Sequence, residues 1–213
     1  MLTIEIVSDF VCPWCFIGIA RLKVAVALVR NQQPEFQFQP KWRPFFLNPD
    51  TPSSGEPYMP FLENKFGGRD KVEAIFERVR AAGRPYGIEY AFEKIPFRAN
   101  TLKAHRLSAW AQAQGDAQPL IERLFSGNFQ RGEHLGDTDA LMRIAGDCGY
   151  DTATVAAFLG SRHLEAEVLR DAAEVMRKGI TMVPTFIIGG REVIVGAEDP
   201  AILAQGILKS LAE

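Results

Sequence analysis

Cys12-Pro13-Trp14-Cys15 follows an apolar, β-branched run, Thr3-Ile4-Glu5-Ile6-Val7, with Phe10 and Val11 leading into the first cysteine. The run reads as a strand. Pro13 suits the first position of a helix, where its missing N–H costs nothing, and a helix is expected from Pro13 to about Arg30. Between Phe16 and Val29 the only charged residues are Arg21 and Lys23, so this helix should be buried on most of its faces. From Glu35 to Lys41, Phe36 and Phe38 alternate with polar neighbours, the pattern of a second strand. The first 48 residues therefore read as β-α-β, with two thiols at the head of the helix.

Six prolines between residues 40 and 60 (Pro40, Pro44, Pro49, Pro52, Pro57 and Pro60), together with Ser53-Ser54-Gly55, interrupt regular structure. A domain boundary is expected there. Helices are expected over 58–66, 70–82, 101–114, 117–127, 138–148, 152–160 and 164–178. The clearest stripes are Leu141, Ile144, Ala145, Cys148 and Leu164, Val168, Ala172, Val175. Strands return only at the end. Thr185-Phe186-Ile187-Ile188, a Gly189-Gly190 turn signal and Val193-Ile194-Val195 form a hairpin. Asp199 then caps a last helix that opens on Pro200 and runs to about Leu211. The two ends together make a four-stranded sheet with flanking helices, a thioredoxin-like arrangement split by a helical insertion. The fold class is α/β, with residues 1–54 and 179–213 as the discontinuous thioredoxin-like domain and 55–178 as the helical insertion domain.

Bulk properties narrow the function. The chain has 213 residues, 47% of them hydrophobic, enough to bury a substantial core, and a net charge of −2 gives no electrostatic case for nucleic acid or an anionic membrane. No apolar run approaches the ~20 residues of a membrane span. The opening Met1-Leu2-Thr3-Ile4-Glu5-Ile6 lacks a basic leader region and reads as strand. Three cysteines are too few, and odd in number, for a secreted disulfide scaffold. A reducing, cytoplasmic setting is expected, where a C-x-x-C is catalytic or metal-binding more often than structural.

A metal site would need about four ligands. Beyond the pair, the sequence offers only Cys148, His105, His134 and His163, with no second C-x-x-C and no H-x₃₋₅-H spacing. Redox chemistry fits better, and no metal or other resident cofactor is expected. The nucleophile is a thiolate, and Cys12 sits where the unpaired N–H groups and dipole of a helix start favour an anion. Cys15, one turn in, should be more buried and should resolve the mixed disulfide. Cys148, on an apolar stripe, reads as a buried inert thiol. Trp14, between the two thiols, should be exposed and offer a partner an apolar surface. Arg43, Lys103 and Arg106 read as solvated charges. Asn100 is a natural N-cap for a helix beginning at Thr101, with His105 one turn further on.

Four motifs stand in order: Ser8-Asp9-Phe10-Val11-Cys12-Pro13-Trp14-Cys15, Pro44-Phe45-Phe46-Leu47-Asn48-Pro49, Asn100-Thr101-Leu102-Lys103-Ala104-His105-Arg106 and Val183-Pro184-Thr185-Phe186. Over nearly the whole chain they resemble the DsbA-like, FrnE-type dithiol oxidoreductases. They also resemble their relatives, the 2-hydroxychromene-2-carboxylate isomerases and kappa-class glutathione transferases. The resemblance implies a cis Val183–Pro184 bond facing the redox pair and a Val183 backbone that binds substrate peptide as a strand would. It also implies that Pro13, Trp14, Val183, Pro184, Asn100, His105 and Asp199 contribute to substrate binding. For Asp199 the implied contact is the γ-glutamyl end of glutathione. The glutathione-dependent relatives carry serine where this chain has Cys12 and lack the resolving thiol. With both cysteines present, a dithiol–disulfide cycle acting on a thiol- or disulfide-bearing protein or small molecule is expected, with glutathione as a candidate co-substrate. Two alternatives stand beside it: a glutathione-dependent isomerase or transferase, and a redox-sensitive binding module or chaperone.

Overall fold

The computed structural model describes residues 1–212. Strand β1 (Leu2–Ser8), helix α1 (Pro13–Gln32) and strand β2 (Phe38–Pro44) come first. The middle of the chain holds the short strand β3 (Glu56–Pro57), α2 (Tyr58–Phe66), α3 (Arg69–Gly83) and two 3₁₀ turns (Arg84–Tyr86 and Phe92–Lys94). Strand β4 (Phe97–Arg98), α4 (Leu102–Gln112), α5 (Gln118–Ser126), a π-helical turn (Gly127–Arg131), α6 (Thr138–Asp147) and α7 (Thr152–Gly160) follow. Then come α8 (Glu165–Arg177), β5 (Thr185–Ile188), β6 (Glu192–Val195) and α9 (Pro200–Ala212). The chain packs as two compact units, 1–45 with the residues from Asp171 onward, and Phe46–Arg170. The sequence punctuation falls at 54/55 and 178/179; the packed division falls earlier at both places, because Phe46 and Thr51 meet His105 and Asn100 of the helical unit, and Val175 belongs to the core of the first unit.

In the first unit the sheet order is β2-β1-β5-β6. β1 and β2 pair in parallel, Leu2 opposite Phe38 through Ser8 opposite Pro44, while β1–β5 and β5–β6 are antiparallel. Parallel pairing requires a long crossover, which α1 supplies. Strand residues alternate between the two faces. One face carries Phe186, Ile188 and Ile194, and α1 and α9 pack there, through close approaches at Gly18 and Gly206. Phe186 and Ile188 are fully buried, each worth roughly 1.5–3 kcal/mol. The other face carries Val7 and Ile187, which pack with Phe45, Val175 and Ile180.

The second strand lies at Phe38–Pro44, later than the alternation over 35–41 suggests. Pro40 and Pro44 read as breaks, yet β2 is an edge strand with a partner on one side only, where a residue without an N–H is tolerated. The β5–β6 connection has three residues, Gly189-Gly190-Arg191, rather than two. Gly189 and Gly190 take φ of 59° and 73°, values that L side chains adopt reluctantly.

Two arginines expected to be solvated are buried. Arg43 is 4% exposed and pairs with Glu5 at 2.6 Å, with Asp171, and with Glu174 at 3.5 Å. Nothing local in sequence announces these carboxylates. Arg106, 3% exposed, donates to the carbonyls of Ser161 at 2.7 Å, His163 at 3.0 Å and Phe158 at 3.2 Å. It thereby satisfies acceptors that the end of α7 leaves open. Lys103 donates to Thr138 Oγ1 at 2.9 Å. Cys148 is half-buried rather than buried, because it is the C-cap of α6, one step beyond the helix whose stripe it continues.

The helical unit is centred on aromatic rings. Phe76 stacks on Phe92 at 4.1 Å, Tyr90 stacks on Phe92 at 5.0 Å, and Phe129 meets Tyr90 edge-on at 5.5 Å. Stacked and edge-on pairs of this kind add to simple burial. The two-residue ladder β3–β4 joins Glu56 to Arg98 and Pro57 to Phe97. It is too short to carry any periodicity, and the sequence reading missed it.

Candidate active site

The local sequence forces the geometry of Cys12. A residue before proline is driven out of the helical region, and Cys12 has φ −95° and ψ 109° with Pro13 at the first helical position. Cys12 therefore becomes the N-cap of α1. Its amide donates to Asp9 O at 3.0 Å, and its sulfur accepts the Cys15 N–H at 3.3 Å. That bond satisfies one of the helix's open donors and sets the partial positive charge of the amide hydrogen beside the sulfur. On its other side the Cys12 thiol donates to the Val183 carbonyl at 3.7 Å.

Cys12 is 4% exposed and Cys15 0%; both are free thiols. Burial pushes the Cys15 thiol well above its ordinary value, and the hydrogen bond with Cys12 and the charge there push it the same way. A hydrogen bond from the Asp9 backbone pulls in the opposite direction, more weakly. The two sulfurs thus differ in environment: one faces a carbonyl at the edge of the site, the other is held neutral behind it.

Val183 is half-buried and packs against the Val7–Phe45–Val175–Ile180–Ile187 cluster. The Val183–Pro184 peptide bond is cis. Pro184 is buried, and its carbonyl accepts the Gly196 N–H at 2.7 Å. Thr185 Oγ1 donates to Met182 O at 2.7 Å and holds the turn from the other side. Pro13 is half-buried, and so is Trp14, which the sequence placed in the open.

Asp199 lies in the first unit, exposed, at the head of α9. Its Oδ1 accepts the Ala201 N–H at 2.8 Å and its carbonyl accepts that of Leu203 at 3.2 Å, so its capping role is visible. Asn100 and His105 belong to the helical unit. Helix α4 begins at Leu102 with Thr101 as its N-cap, one residue later than expected. Asn100 still serves the helix start: Oδ1 accepts the Leu102 N–H at 3.1 Å, and Nδ2 donates to Thr51 O at 2.7 Å. His105 is buried and meets the Phe46 ring edge-on at 5.1 Å.

Two further residues act on the site from outside it, touching neither substrate nor the reacting sulfur of Cys12. Asp9 is a carboxylate at 1% exposure, three positions ahead of Cys12, whose charge also raises the Cys15 thiol. Its signal was an acid set between the strand and the motif, just before Phe10 and Val11. Gly18 lies inside α1, in its second turn, where glycine costs about 0.5–1 kcal/mol relative to alanine. A Cβ there would stand 2.8 Å from Pro184 Cγ and 3.2 Å from Phe186 Cζ. The glycine lets the helix that carries the thiols meet the turn that carries Val183. A glycine inside an apolar helix was the available sign.

Comparison with known proteins bears on the family and the fold. The chain is 27% identical over 207 residues to the uncharacterized protein YwbO of Bacillus subtilis, covering 96% of this chain and 94% of that one. The crystal structure of a probable DsbA oxidoreductase from Streptomyces coelicolor superposes with a TM-score of 0.91 at 26% identity, over 100% of this chain and 91% of the other. The cytosolic disulfide reductase DsbM of Pseudomonas aeruginosa, solved with glutathione, shares the fold at a TM-score of 0.67 and 15% identity, over 99% of this chain and 100% of that one. The family model of the DSBA-like thioredoxin domain matches residues 3–207, and the chain belongs to that family.

Proposed function

We propose that the protein is a thiol–disulfide oxidoreductase that cycles Cys12 and Cys15 between dithiol and disulfide, with Cys12 as nucleophile. The observation that carries this is the asymmetry of the pair. The Cys12 sulfur caps α1 beside the Val183 carbonyl, while Cys15 is fully buried and donates its N–H to that sulfur. In the reducing direction, the Cys12 thiolate attacks a disulfide R–S–S–R′, forming Cys12–S–S–R and releasing R′–S⁻, which takes up a proton. Cys15 loses its proton and attacks the Cys12 sulfur. The Cys12–Cys15 disulfide forms and R–S⁻ leaves, so the substrate gains the two electrons that the protein gives up. A thiol reductant of the glutathione class returns the pair to the dithiol. With an oxidised pair and a dithiol substrate, the same steps run backwards.

Val183 and Pro184 form the docking edge. Once a substrate displaces the Cys12 S–H, the Val183 carbonyl accepts a backbone N–H from an extended peptide. Pro13 and Trp14 border the thiols; Asn100, His105 and Asp199 are candidate contacts beyond their capping and packing. A cytoplasmic setting is part of the proposal, supported by the low and odd cysteine count. Among the described residues no helix is long and apolar enough to cross a membrane.

The test is turnover of insulin or 2-hydroxyethyl disulfide by wild type, Cys12→Ser and Cys15→Ser. Cys12→Ser is expected to be inactive, and Cys15→Ser to stall as a mixed disulfide with substrate. Full turnover by Cys15→Ser with glutathione and a small electrophile would replace the dithiol cycle with glutathione-dependent isomerase or transferase chemistry.

A further inference from the structure

The turn that carries Val183 is tied to α1 at three successive points. At the head of the helix, the Cys12 thiol donates to Val183 O at 3.7 Å. Midway, Gly18 lets Pro184 approach so closely that a Cβ would stand 2.8 Å from Pro184 Cγ and 3.3 Å from Pro184 Cβ. Both atoms belong to a ring closed onto the backbone, so beyond a change of pucker the contact is relieved only by a shift of the turn or the helix. Gly18 has no left-handed φ; the contact, not the backbone, asks for glycine. Further along, Arg21 donates from Nη1 to the Ala197 carbonyl. Gly196, next to Ala197, donates its N–H to Pro184 O at 2.7 Å. A path therefore leaves α1 at Arg21, crosses the 196–197 turn and reaches the far side of Pro184.

We infer that Gly18 and Arg21 are positioning residues: together they clamp the Val183–Pro184 turn against α1, hold the Val183 carbonyl at docking distance, and so favour extended peptide disulfides over small ones. The inference rests on the dithiol cycle proposed above. Neither residue touches the reacting sulfurs. Their effect falls on the hydrogen bond that an extended peptide makes to the Val183 carbonyl. A small disulfide without a backbone N–H makes no such bond.

The test compares kcat and KM for a disulfide-linked extended peptide and for 2-hydroxyethyl disulfide in wild type, Gly18→Ala, Arg21→Met and Arg21→Lys. For Gly18→Ala and Arg21→Met, the peptide kcat/KM is expected to fall by between about threefold and tenfold through KM, the scale of one net hydrogen bond. The small disulfide should be turned over at the wild-type rate. Arg21→Lys, which keeps a donor, should recover most of the loss. An equal fall for both substrates, no change for either, or no recovery in Arg21→Lys overturns the clamp. If Gly18→Ala does not fold, the two Arg21 variants decide. A wild type inert toward both disulfides overturns the dithiol cycle and the clamp with it.

Discussion

Cys15 separates the two thiols of the motif by environment alone. Burial, and then the hydrogen bond with Cys12 and the charge there, raise its pKa. It therefore remains protonated at neutral pH. Limiting iodoacetamide near pH 7 is expected to label Cys12 first, read by peptide mass mapping; first labelling at Cys15 would reverse the assigned roles. The same shift links to stability. The folded protein holds the Cys15 proton more tightly than the unfolded chain, in which a cysteine titrates near about 8.5. Below that value both states are protonated and the contribution is fully present. Above it the unfolded chain binds fewer protons, so stability falls with rising pH, by at most about 1.36 kcal/mol per pH unit, up to the raised folded value. Melting of the reduced protein should therefore weaken above about pH 8.5, and Cys15→Ala should lose this part of the slope. An unchanged slope in that variant would assign the loss to other groups.

Among the elements, α1 and the closing hairpin and helix were legible because each has a local signature: proline at a helix start, glycines in the turn, an aspartate at the cap. The long helices of the insertion were legible from spacing. What escaped depended on partners far away in sequence. Pro40 and Pro44 argue against a strand until β2 is seen to be an edge. Arg43 looks solvated until Glu5 on β1 and Asp171 and Glu174 on α8 are seen around it. At the site the C-x-x-C singled out Cys12 and Cys15, and only the resemblance pointed to Pro184. Gly18 acquires meaning only from Pro184, which meets it in space. Arg43 joins three elements of the first unit, so Arg43→Met should leave Glu5 and Asp171 without their cation, while Glu174 keeps Lys178 at 2.8 Å. Removing one partner of a fully buried pair costs about 3–5 kcal/mol. Here Asp171 and Glu174 are 33% and 46% exposed, so water compensates in part, and about 2 kcal/mol is expected by urea denaturation. A loss under about 0.5 kcal/mol, the level of an exposed pair, would show that the network does not tie α8 to the sheet.

Across the whole molecule, the family match runs through both packed units, from residue 3 to residue 207, with the two cysteines near its start and Val183–Pro184 near its end. The interrupted chain order thus brings together, beside one sheet, the Cys12 thiol from one end of the sequence and the Val183 carbonyl from the other. The dithiol cycle is the central claim, and titration of the protein in glutathione redox buffers, with thiols trapped by alkylation and counted by mass, tests it most directly. A dithiol cycle predicts that Cys12 and Cys15 lose their labels together in a single two-electron transition, a tenfold change in the oxidised-to-reduced ratio for each ~30 mV. Loss of one label alone, with a lasting Cys12–glutathione adduct and a free Cys15, would contradict it.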